Sequence, residues 1–169
     1  LGMLMIYAGF LSFYFAAQIP LIKTYDSGNV IITTNIYGAP TTMYGTTFNY
    51  FLSLAGGMMM GFILSRGNLF WILGGGLAGL VSTSAGNDLY HPLQAFLISV
   101  FVVWLVFRAH HWIERRFRID DITGVTAIHG FGGFFGLIIS GFILWGYPSS
   151  PNLEFADINP AGQAFGAML

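Results

Sequence analysis

Apolar residues run through this chain in blocks about as long as a bilayer's hydrocarbon core is thick, with polar residues gathered between them. The first block covers residues 1–22 and ends near Pro20 and Lys23. Residues 24–40, rich in Thr, Tyr, Asn and Gly, predict a loop or short cap. A second block covers residues 41–64 and carries Gly56-Gly57-Met58-Met59-Met60-Gly61, after which Ser65-Arg66-Gly67-Asn68 reads as a tight turn. The third block starts at Leu69 and frays over residues 82–88. Pro92 opens the fourth, where its missing N–H costs little, and that block reaches about Phe107. The fifth covers residues 122–145, residues 147–159 form a loop, and residues 161–169 begin a sixth block. The expectation is an all-α, polytopic membrane helix bundle: one domain over residues 1–169, with about five spans and the start of another.

Composition narrows the class. Charged residues make up 8% of the 169, against about 25% in a soluble domain. Mean hydropathy is +0.70. A disordered chain, a nucleic-acid binder and an ordinary cytosolic enzyme are excluded on these grounds. The absence of cysteine removes thiol catalysis, disulfides and cysteine metal sites. Glycine, 23 residues, is about twice its usual share, and its place inside apolar blocks reads as close helix packing. Five of the six basic residues, Arg66, Arg108, Arg115, Arg116 and Arg118, fall in loops expected on one side, and Lys23 falls on the other. The positive-inside rule makes the arginine side cytoplasmic, in a plasma or inner membrane. The opening Leu1-Gly2-Met3-Leu4 has no basic n-region and does not read as a signal peptide. Apolar residues run up to both ends, so a piece of a longer protein is expected.

Candidate chemistry is sparse. There is no HExxH, no phosphate-binding glycine loop before a lysine and no Ser-His-Asp set, so enzymatic turnover is not expected. His110 and His111 read as members of the basic loop and His91 as a helix-start residue beside Pro92, so no metal or cofactor is expected. His129 stands apart, about two turns into the fifth block. An ionisable residue within a span is a functional candidate by default, facing a cavity or a partner group; the alternative is an imidazole bonded to a neighbouring carbonyl for packing. Gly132, Gly133 and Gly136 clear the helix surface beside it, and Gly132 and Gly136 form a GxxxG pair of the packing type. Asp120 and Asp121 suit the N-cap and first turn of that helix. Met58, Met59 and Met60 read as lipid or core packing, and Trp71, Trp104, Trp112 and Trp145 as interfacial anchors.

The run from Asp120-Asp121 to His129-Gly130-Phe131-Gly132-Gly133-Phe134-Phe135-Gly136 resembles the signature of the ammonium transporter (Amt/Mep/Rh) family, ungapped to Gly141. Gly74-Gly75-Gly76-Leu77-Ala78-Gly79-Leu80-Val81 is similar to the family's glycine-rich segment. Residues 1–17, with Gly9 and Phe13, are similar to its sixth helix. The resemblance implies a fold of two inverted five-helix repeats plus a last helix, assembled as a homotrimer with a pore in each protomer. This chain would be the second repeat, helices six to ten and the start of eleven, and a missing N-terminal half or partner chain would complete the pore. It implies ammonium or ammonia as substrate in a lipid bilayer. His129 would be one of two pore histidines serving as a proton relay, Phe13 and Phe10 aromatic gates, and Asp121 a structural or inner-vestibule acid. The sequence departs from the family where Phe10 replaces Trp, Tyr14 replaces Asn, Ala17 replaces Ser, and Ser84-Ala85 replaces Thr-Pro. Asp88 reads either as a solvated loop charge or as a substitute attraction for a cation. A divergent member kept as a structural subunit and an ammonium sensor are the rival functions.

Overall fold

The computed structural model describes residues 1–18, 22–24, 30–32, 43–118 and 120–144. Among these residues five α-helices carry the fold: α1 (Gly2–Gln18), α2 (Met43–Ser65), α3 (Leu69–Thr83), α4 (Pro92–Phe117) and α5 (Gly132–Ile143), with a π-helical segment (Thr126–Phe131) leading into α5. A two-stranded antiparallel hairpin, β1 (Ile22–Thr24) and β2 (Val30–Ile32), pairs Lys23 with Ile31 where a loop is expected from composition. Isoleucine and valine on its strands favour that extended pairing. The α2 and α4 helices and the joined stretch Thr126–Ile143 are long and apolar enough to cross a membrane, while α1 and α3 are shorter apolar helices. The expected loop at 147–159, the sixth block at 161–169 and Trp145 lie outside the described residues.

Helix α4 runs about ten residues beyond its expected end at Phe107. Nothing between Arg108 and Phe117 breaks a helix, and Arg115 and Arg116 in the last turn suit the negative end of its dipole. Arg118, with φ 55°, then turns the chain in a left-handed cap. Arg108, His110, His111, Arg115 and Arg116 therefore stand on a helix, not in a loop. At the other end His91 caps α4, accepting from the amide of Leu93, while its own amide donates to Gln94.

Small residues set the core. Helices α2 and α3 are antiparallel, and Ser53, Gly57 and Gly61 on the first meet Gly79, Gly75 and the Trp71 carbonyl on the second. A Cβ at Gly61 would lie 2.1 Å from the Trp71 oxygen, so no side chain fits between these backbones. The α3 helix is central, with residues 74–80 all buried. Gly136 of α5 meets the Ser82 backbone on another of its faces.

Buried polar groups fix the register. Asn49 Nδ2 donates to the carbonyls of Asn87 and Tyr90, both at 2.8 Å, and Asn87 Nδ2 donates to the Thr46 carbonyl at 3.1 Å. These bonds tie α2 to the loop between α3 and α4. Tyr7 donates to the Leu73 carbonyl and Tyr14 to the Leu80 carbonyl, so α1 lies parallel to α3 in a constant register. Tyr50 donates to the Tyr7 carbonyl at 2.6 Å and joins α2 to the same pair.

Candidate functional site

The segment that carries His129 begins with a turn. Gly124 adopts φ 68°, a left-handed conformation that glycine takes without a steric penalty, and its amide donates to the Asp121 carbonyl. Asp121 folds over the turn and accepts from the amides of Thr126 at 3.4 Å and Ala127 at 3.2 Å, satisfying donors that a helix start leaves open. Asp121 is buried and Asp120 is exposed, so the capping falls to Asp121.

The next six residues are π-helical, a wider turn often found at functional positions. Ala127 and Ile128 face the core, while His129 and Gly130 are exposed. His129 lines a cavity of about 560 Å³ between the π segment, α1 and α3. Met3, Ile6, Leu73 and Leu77 are among its apolar walls, and among the described residues Thr123 and His129 supply the only polar side chains in its lining. The imidazole is thus presented to an apolar space.

Phe10 and Phe13 lie further along α1, about 10 Å beyond Ile6 in the case of Phe13, and neither lines this cavity. Phe13 is 62% exposed and Phe10 packs partly against the core. Between them Tyr14 is buried, its hydroxyl 2.6 Å from Ser84 Oγ and donating to the Leu80 carbonyl at 3.0 Å. Tyr14 and Ser84, two positions expected from the sequence to depart from the family pattern, are therefore in contact. Gly132 and Gly136 are buried in the bundle, and a Cβ at Gly136 would come 2.5 Å from the Ser82 carbonyl oxygen. Among the described residues Gly133 has only Val81 within reach, at 3.9 Å.

Asp88 is half-buried rather than solvated, and burial pushes its carboxyl above the ordinary value while a bond from its own amide partly offsets the shift. Trp71 is also no interfacial anchor: it is 8% exposed and packs edge-on against Phe107 and His110, with ring centroids 4.7 and 4.9 Å away. His110 is buried, with Nε2 3.1 Å from Glu114 and Nδ1 3.7 Å from Asp121. Sequence reasoning missed this cluster because it ended α4 too early; an uninterrupted helix places His110 and Glu114 four apart on one face. Among the described residues no group of three His, Cys, Asp or Glu side chains is arranged to hold a metal.

A profile of the Ammonium Transporter Family matches residues 1–159. The chain belongs to that family. It is 30% identical over 122 residues to the ammonium transporter Amt1 of Methanocaldococcus jannaschii, an alignment covering 70% of this chain and 29% of the relative. It is 33% identical over 106 residues to an ammonium transporter of Corynebacterium glutamicum, covering 59% of this chain and 23% of that protein. The chain thus spans less than a third of the length of these relatives. No solved structure matches it. Family membership and the apolar helices make this a helical membrane protein of ammonium transporter type.

Proposed function

We propose that this chain forms one wall of an ammonium-conducting pore and is the second of two inverted repeats. The observation that carries this reading is His129, exposed on a π-helical turn beside an apolar cavity. An ammonium ion crosses hydrocarbon at a desolvation cost of order tens of kcal/mol if it keeps its charge. Giving its proton to an imidazole and passing as ammonia lowers that cost. Histidine suits the exchange because its charge ordinarily changes near neutral pH. A repeat interface at mid-membrane is a common place for such a path. The opposite wall, with the second histidine, comes from the remainder of the transporter, and the working assembly is a homotrimer.

In this reading Phe13 and Phe10 gate the mouth remote from the arginines, and Asp121 shapes the inner vestibule by holding the start of the histidine segment. Gly136 lets α5 approach the Ser82 backbone of α3 and Gly132 packs beside Val81 and Val106, while Gly133 leaves that approach unchanged. The arginine-bearing end, from Arg66 and Arg108 to Arg118, faces the cytoplasm of a plasma or inner membrane. The test is ammonium-driven current in proteoliposomes of the full-length transporter containing this chain. His129→Ala should abolish or strongly reduce the current of correctly folded protein, and an unchanged current would remove the relay role.

One observation favours a second reading, a non-transporting structural member. Tyr14 stands where the family has a smaller polar residue and is locked in place by Leu80 and Ser84. That reading expects no current from the unmodified full-length protein and stable co-purification with fixed partner chains.

A further inference from the structure

Asp121 links two parts of the molecule that are separate in sequence. One carboxylate oxygen, Oδ2, accepts the Ala127 amide at 3.2 Å and stands 3.7 Å from His110 Nδ1 on α4. Its other oxygen reaches the Thr126 amide. His110 is 7% exposed, and its Nδ1 has no hydrogen-bond partner, an arrangement that is costly unless a nearby acceptor takes it. Among the described residues Asp121 is the carboxylate within ion-pair range of that nitrogen, a few tenths of an ångström beyond hydrogen-bond length.

The rest of the imidazole is held as well. Nε2 faces Glu114 one helical turn along α4 at 3.1 Å, Trp71 of α3 packs edge-on against the ring, and His111 lies beside it with a centroid separation of 5.4 Å. Among the described residues Glu114 and Asp121 are thus the charged groups within ion-pair range of the imidazole, one from its own helix and one from the turn before the π segment. The ring has little freedom to turn away from Asp121.

We infer that His110 is a positioning residue for His129, acting through Asp121. With a proton on Nδ1, the imidazole holds the carboxylate over the Thr126 and Ala127 amides, and those amides fix the first turn of the π-helical segment. His129 follows Ala127 by two residues, so the direction of its side chain depends on that turn. This role in transport rests on the relay reading of His129; the hold on the turn does not.

The experiment uses the full-length transporter in proteoliposomes with His110→Ala and His110→Gln, the latter keeping a polar side chain able to reach Glu114. Hydrogen exchange is followed by mass spectrometry in peptides covering residues 125–131 and, as a reference, residues 53–79. Both variants should exchange several-fold faster at Thr126 and Ala127 while the α2–α3 reference keeps its protection. Maximal ammonium current per folded transporter should fall several-fold, with the half-saturating ammonium concentration unchanged. Wild-type exchange at 125–131 would overturn the proposal, as would loosening that spreads equally through 53–79, which marks a packing role alone. A parallel His129→Ala variant separates the two ideas. Intact current there removes the relay, while exchange at Thr126 and Ala127 still decides whether His110 holds the turn.

Discussion

Gly57 and Gly75 touch backbone to backbone: a Cβ on Gly57 would lie 2.3 Å from the Gly75 carbonyl oxygen, and one on Gly75 would lie 2.6 Å from that of Gly57. The atom in the way is main chain in both directions, so no rotamer change relieves the clash. Gly57→Ala is therefore expected to push α2 and α3 apart and cost about 1–3 kcal/mol, the usual range for overpacking. Gly133→Ala, whose Cβ would meet Val81 at 3.9 Å and nothing nearer among the described residues, is the contrasting case and should be nearly neutral. Melting temperatures of the full-length protein in detergent would check the pair, with Gly57→Ala clearly the lower.

Asn49 is expected to matter more than its polarity in an apolar helix suggests. It gives its two N–H donors to the carbonyls of Asn87 and Tyr90 from a fully enclosed position. Asn49→Leu removes both donors, leaves those acceptors without them, and should cost about 1–3 kcal/mol per carbonyl left unsatisfied. Faster hydrogen exchange concentrated in residues 84–91, together with a lower melting temperature, is the expected outcome.

Asp88 carries a pH dependence. Burial raises its carboxyl above the ordinary 3.8, so the folded state holds the proton more tightly than the unfolded chain. The associated stability is fully present below the ordinary value and is lost as pH rises through the folded value. Asp88→Asn has no charge to bury and should melt higher than the parent near neutral pH. That gain should shrink as pH falls toward 3.8. A melting-temperature difference independent of pH would contradict the assignment.

The membrane class, the five helical blocks and the histidine motif were all legible along the chain, because a bilayer imposes a length and an apolarity that leave a linear trace. The starts of α3 at Leu69 and α4 at Pro92 followed from local signals, the tight turn over residues 65–68 and the proline. The end of α4 did not. Charged residues from Arg108 onward looked like a loop, yet helical propensity carried the chain to Phe117 as a helix leaving its apolar block.

Tertiary structure alone decided which polar residues meet. Tyr14 with Ser84 and His110 with Asp121 are pairings across separate elements, set by how α1 and α4 pack around the glycines of α3 and by the turn before α5. Burial likewise turned Trp71 inward and Asp88 into a half-enclosed acid. The sequence by itself determined that the chain is a membrane protein and where the histidine of its fifth apolar block lies. Distance and solvent access between remote segments exist only once the helices have packed, so the surroundings of that histidine segment were decided in three dimensions.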